Sequence, residues 1–532
     1  MNDIEDQAIN TSEPSGQADA PAWQSISAPM PAVRSFKADV KDGIFALFAF
    51  ILGYFFCRWV LTSFFGWGAA VFTGVYLGSA LFYLLKKGVR LSGESWFWFA
   101  VTALTGLSFA LWNNNGLIPL RSMFLFCAAV YWVLSATSTQ ISGQTSNFLF
   151  LDGLNAVCVT PFRNFLNQYR ALAVFKGSRE SRKKFLPVLL GIVLALIILL
   201  IVTPQLLRAD SGGFNNLIMG LLDLFRVDWP KVLEILLYCL LAVPTAAYLF
   251  GLVSGSAVKR GTDTFTAEKA GKAVSAVKIT APVTVNIVLG AVCVLYVIFI
   301  ACQLPYFFSA FAGSRPDGWL SYSEYARQGF FELCGVAAIN LALLTAANIF
   351  SKKPRAENNV LKIFNSALAL ITLLLIATAF SKMALYIDAF GLTSLRILPC
   401  VIMVLLAFVC AALIVLQKVK FSIVRASIIV GAVLFTALCL VDMDGLVVRY
   451  NTDRYLAGTL TEYDTDILYR SGPAGVPDAL EVYSASREGD LKNRLWIYLK
   501  EQKENAEATA GTYRDTLQYY LARVMLRDVE LK

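Results

Sequence analysis

The chain has 532 residues, of which 57% are hydrophobic and only 16% charged, with no histidine and a formal charge of +9. So apolar a composition exceeds what a soluble core of this length hides, and it places the chain among polytopic membrane proteins. The missing imidazole removes the commonest general base and metal ligand, so zinc-protease, rhomboid-type serine-protease and histidine-dependent acyltransferase chemistry are excluded.

In chain order, residues 1–42 come first. They are polar, rich in Ser, Ala and Pro, and carry Asp3, Glu5, Asp6, Glu13 and Asp19. This composition predicts a disordered tail, too long and too acidic for the basic start of a cleaved signal peptide. The first apolar segment is therefore expected to remain as a span.

Apolar windows of spanning length follow at 43–64, 67–85, 95–112, 117–138, 185–206, 232–254, 281–303, 328–350, 363–386, 397–416 and 424–441. Stretches such as 186–202 and 397–416 are apolar on every face, which a β-barrel strand would not be. The expected fold is all-α: a transmembrane bundle of about 11 spans over residues 43–441. Taking the loops alternately from the amino end puts 25 Lys and Arg on one side and nine on the other. The positive-inside rule then predicts a cytoplasmic amino terminus and an extracytoplasmic carboxy terminus. Basic residues at helix ends are accounted for by orientation and anionic lipid, and no aromatic-interleaved basic patch speaks for nucleic acid.

Two stretches read as membrane-associated without spanning. Residues 147–169 are amphipathic and interrupted by Gly153 and Pro161, as in an interfacial or re-entrant element on the cytoplasmic side. Residues 214–225 have a similar pattern and are expected on the opposite surface, with a short helix buried against the bundle as the equal alternative for either stretch.

After Val441 the composition changes. Residues 442–532 hold 12 basic and 16 acidic residues, and show helical apolar spacing at 446–456, 479–483, 491–499 and 513–526. A small extracytoplasmic all-helical domain of about four helices is predicted there, with Trp496, Tyr498, Tyr519 and Tyr520 as packing residues.

The ten cysteines all fall in or beside apolar segments, with no C-x-x-C pair, and are read as small apolar residues rather than metal or disulfide partners. No phosphate-binding glycine loop is present and no cofactor is implied. The first outer loop, near 64–66, has no carboxylate of the kind used by glycosyltransferases acting on lipid-linked sugars, and Ser254-Gly255-Ser256 reads as small-residue helix packing.

Ionisable and amide side chains at membrane depth are costly and invite explanation. The expected topology puts Arg58, Gln303, Glu332, Lys382 and Asp388 near one level below the outer surface. An outward-facing polar pocket is expected from these five, with Glu332 and Lys382 as an ion pair. Snorkelling to headgroups is the competing account of Arg58, Lys382 and Asp388. Asn340 and Asn348 continue the Glu332 stripe inward.

Residues 279–309, 325–333 and 379–388, together with Arg449-Tyr450-Asn451, Asp453–Leu456, Asp466–Leu468 and Val476–Leu480, resemble a family of bacterial polytopic membrane proteins grouped by a domain of unknown function, the 4153/4173 group. The resemblance implies a bacterial cytoplasmic-membrane location, several spans and a helical tail, and carries no catalytic residue. It singles out Tyr325, Arg327, Glu332, Lys382, Asp388, Asn451 and Arg454, the last two as contact residues of the tail.

The expected role is a non-enzymatic envelope sensor, assembly or interaction protein, embedded in the lipid bilayer and meeting an envelope protein through 442–532. The alternative is a transporter or lipid-handling protein using the outer polar pocket. An enzyme acting on lipid or glycan through Glu332 or the tail carboxylates ranks third.

Overall fold

A computed structural model describes residues 36–62, 66–175, part of 187–206, 229–259, 266–311, 322–353, 357–460, 462–486, 489–527 and 529. It is helical throughout, and among the described residues nine helices are long and apolar enough to cross a membrane. The expected fifth span, 185–206, and the stretch 214–225 lie outside the continuously described residues.

The first half is built from α1 (Val40–Phe55, continued by a π turn at Phe56–Leu61), α2 (Trp67–Lys86), α3 (Gly93–Leu111), α4 (Ile118–Thr137) and α8 (Trp229–Ala257). Asp39 and Asp42 start α1 with a reciprocal capping box, satisfying backbone donors that lipid could not. The core of this half gathers Leu77, Ala80, Leu84, Trp132, Val133 and Phe250, each nearly or fully buried. α1 and α8 touch closely because Gly53 faces the Ala242 carbonyl, where a Cβ would stand 2.7 Å from oxygen.

Residues 149–172 form three short helices, α5 (Leu149–Leu154), α6 (Thr160–Arg163) and α7 (Asn167–Leu172), with a second π turn at Asn155–Val159. This is the expected non-spanning element. It packs on α1, α4 and α8, and Asn164 lies against Gly255. Gly255 is flanked by the buried Ser254 and Ser256, so the small-residue reading of that triplet agrees with the packing.

α9 (Ala267–Val277) leads into the second half: α10 (Pro282–Phe311), α11 (Tyr322–Phe350), α12 (Asn359–Phe390) and α13 (Ser394–Leu416). Phe330, Ala369, Ala379, Met403 and Cys410 form its centre. α14 (Ile423–Leu440) packs on both α3 and α13 and joins the halves.

Helix ends sort onto two faces in the alternation expected from sequence. On one, Lys87 pairs with the buried Asp42 at 2.7 Å, Arg425 pairs with Glu94 at 3.0 Å, and the Thr280 N–H donates to the Phe350 carbonyl. On the opposite face sits the carboxy-terminal module, composed of α15 (Met443–Leu456), α16 (Thr465–Ser471), α17 (Val476–Ala485), α18 (Asp490–Thr509) and α19 (Leu517–Leu526). Val476, Ala479, Val482, Leu495, Tyr498 and Leu499 make its core, and each is fully buried. The expected third span corresponds to α3, which is a helix but is not among those nine; it packs between α2, α4 and α14 with Ser95, Thr102, Thr105 and Ser108 buried.

Candidate functional site

The five residues expected in one polar pocket are distributed over both halves. Arg58 lies exposed in the π turn that ends α1, and its carbonyl accepts from Thr62 Oγ1. Glu332 on α11 and Lys382 on α12 are close enough to interact electrostatically within the second half. The Gln303 side chain lies outside the described residues. Asp388, at the end of α12, faces Arg454 of the module at 3.6 Å, and Arg454 Nη1 also donates to the carbonyls of Ile387 and Asp388. The inward amides are used within the bundle. Asn340 accepts from the Tyr296 hydroxyl at 2.7 Å and donates to Thr372 at 3.0 Å, while Asn348 and Asn365 pair with each other.

A polar collar between bundle and module was not visible in the sequence. Asn114 sits in the left-handed region at φ 41°, which turns the chain tightly between α3 and α4. Its Oδ1 accepts from the Met443 and Asp444 N–H groups at 3.1 and 3.4 Å, and its Nδ2 donates to the Val441 carbonyl at 2.9 Å. The Asn113 N–H donates to Gln518, the Asn115 N–H donates to Asp444, and Gln518 donates in turn to Asp442 at 2.7 Å. Arg121, fully buried, donates to the carbonyls of Ser108, Trp112 and Asn113 that close α3. Burial pushes the Asp444 carboxyl up to about 6, against hydrogen bonds from Ser394 and the Asn115 N–H that pull the other way. The asparagine run at 113–115 was the available signal, but its partners lie more than 325 positions away.

A cavity of about 910 Å³ lies in the first half, between the π turn after α1, α2, α4, α6 and α8. That is at the upper end of the range of small-molecule sites, roughly 300–1,000 Å³. Its wall runs from Val60, Phe109 and Ile118, near the module face, past Tyr76 and Ala129 to Phe162 and Phe165 on the non-spanning element. Most hydroxyls along it are turned back onto protein: Thr73 donates to the Ala69 carbonyl, Thr245 to Leu241 and Tyr248 to Val157. Ser122 Oγ, buried at the wall, has no partner among the described residues. Met123 and Phe126 line the cavity and are also 62% and 44% exposed, so among the described residues it opens on the flank of the bundle.

Residues 99–482, more than two thirds of the chain, match the family model described as DUF4153, a domain of unknown function. No curated protein and no solved structure matches the chain.

Proposed function

We propose that this chain, which belongs to the DUF4153 family, is a multi-pass protein of a bacterial plasma membrane that takes a lipid acyl chain between the spans of its first half and handles it without covalent chemistry. One observation carries the reading: a cavity of about 910 Å³ within the membrane-embedded part, with an almost wholly apolar wall and a lateral opening. A cavity with an apolar wall favours apolar matter over water, and in a bilayer the apolar matter at hand is lipid.

The excess of Lys and Arg on the loops opposite the module supports a cytoplasmic amino terminus and an extracytoplasmic module. A docking role for Asn451 and Arg454 is less favoured, because both side chains are engaged with the protein's own bundle.

The test is native mass spectrometry of protein extracted in mild detergent, comparing wild type with Ala129→Phe, which fills the cavity, and with Lys362→Ala, which lies in the other half. Wild type and Lys362→Ala should retain phospholipid and Ala129→Phe should lose it. Equal retention in all three contradicts the proposal.

A further inference from the structure

α19 carries an apolar face that no described part of the protein covers. Leu517, Tyr520, Leu521, Val524 and Met525 recur at the spacing of one helix face and are 37, 56, 39, 55 and 41% exposed. Gln518, Ala522 and Leu526 of the same helix are buried. Five apolar side chains aligned on one extramembrane helix form a contiguous patch of the kind that marks an interaction surface.

The start of α19 is tied to the ends of the spans. Trp67, the first residue of α2, donates from its ring to the Thr512 carbonyl at 2.7 Å and from its backbone to the Asp515 carbonyl at 3.0 Å. The Gly68 N–H donates to the Tyr513 carbonyl, and Gln518 in the first turn of α19 receives the Asn113 N–H from the end of α3. The rings of Trp59 and Trp67 lie 5.6 Å apart beside these contacts. Tryptophans clustered at span ends mark the depth of the headgroups. The apolar face of α19 therefore begins at the membrane surface.

Charge completes the match. Arg514 and Arg527 are exposed at the two ends of the face, no acidic residue occurs from 516 to 527, Asp515 is held by Arg523 at 2.5 Å, and Asp528 and Glu530 come only after the helix in sequence. An apolar stripe flanked by arginines and free of carboxylates has the character of an interfacial helix on anionic lipid.

We propose that α19 lies on the leaflet at the module face, with its five apolar side chains among the lipid chains and Arg514 and Arg527 at lipid phosphates. The module is then anchored to lipid as well as to the bundle. This surface is separate from the cavity, and it stands whether or not the cavity holds lipid.

The experiment uses the full-length protein in nanodiscs of phosphatidylcholine alone or mixed with phosphatidylglycerol. Benzoylphenylalanine replaces Leu521, Val524 or, as a control on α18, the exposed Glu501. Irradiation should give phospholipid adducts at 521 and 524, more of them with phosphatidylglycerol, and none at 501. Protein–protein crosslinks at 524 in place of lipid adducts would make the face a self-association surface and overturn the proposal, as would no adducts at all. Equal yields in the two lipid mixtures overturn the assignment to anionic lipid. Hydrogen exchange of the unmodified protein provides a check free of substitutions: amides 521–526 should exchange more slowly in discs containing phosphatidylglycerol, and identical rates contradict the proposal.

Discussion

Asn451 grips the backbone of Leu392 from both sides, its Oδ1 accepting from the Leu392 N–H at 2.7 Å and its Nδ2 donating to the Leu392 carbonyl at 2.8 Å. Asn114 makes the corresponding grip at the other end of α15, on Met443 and Asp444. Asn114 belongs to the first half of the bundle and Leu392 to the second. α15 therefore lies as a strap across the ends of both halves, with roughly 12 Å between the two grips at 1.5 Å of rise per residue. Its first residue, Met443, packs on Leu117 and Leu438.

Breaking the strap at its far end should loosen the module. Asn451→Ala removes both bonds and leaves a buried N–H and carbonyl unmatched, a loss of about 3 kcal/mol at 1–3 kcal/mol for each orphaned group. Arg454→Ala should cost less, because its partner Asp388 has a side chain 80% exposed to solvent. Thermal unfolding of the two variants in detergent measures the difference.

Asn114 separates backbone strain from hydrogen bonding. Asn114→Ala loses three side-chain bonds and keeps a Cβ on a left-handed residue without the polar side chain that favours that region, whereas Asn114→Gly loses the bonds but relieves the φ of 41°. Both variants should be destabilised, with the glycine variant the more stable by about 1 kcal/mol. Equal melting temperatures would show that backbone strain contributes nothing at this turn.

The collar makes stability depend on pH. Burial holds Asp444 at about 6 in the folded protein, above its ordinary value near 4 in an unfolded chain. Between those values the folded state binds the extra proton, so stability falls as pH rises from about 4 to 6 and levels off above. Asp152 and Asp478, also pushed up to about 6 by burial, act in the same direction. Melting at pH 5 should exceed melting at pH 7.5. Asp444→Asn, which keeps one oxygen to accept from the Asn115 N–H and turns its amide NH2 toward the Ser394 hydroxyl, should remove up to about 3 kcal/mol of this pH dependence, at 1.36 kcal/mol per unit. An unchanged slope in that variant would remove Asp444 from the account.

Orientation is tested from outside the cell. An impermeant thiol reagent should label a cysteine placed at Asn505 on α18 and spare one placed at Lys86, at the end of α2 on the other face. The reverse pattern would invert the assignment of faces, although the relation between module and bundle would stand.

Much of the fold was legible because its determinants are local. Apolar runs located α1, α2, α4, α8 and α10–α14, although the end of α10 and the start of α11 run eight and six residues beyond the expected spans, and the breaks at Gly153 and Pro161 marked the non-spanning element. Helical spacing found α15 and the buried faces of α17 and α18. It missed α16, which is only seven residues long, and it placed 513–516 in a helix although that stretch folds as a turn against Trp67. The sites were less legible because their determinants are not local. Asp388 was read as a membrane-depth charge and meets Arg454, 66 residues on. The expected neighbour Arg58 ended in the other half, since helix order along the chain does not say which helices touch. The cavity has no sequence signature, because Ala129 or Phe162 looks the same whether it packs on a side chain or on a lipid.

The central claim is that the cavity of the first half holds a lipid chain. The most direct measurement is a cryo-electron microscopy map of the protein in nanodiscs made with brominated phospholipid. The account predicts an elongated density with a bromine peak, running beside Ser122 and Ala129 from Ile118 toward Phe162. A cavity filled by the chain's own residues, such as 185–206, or one left empty would contradict it.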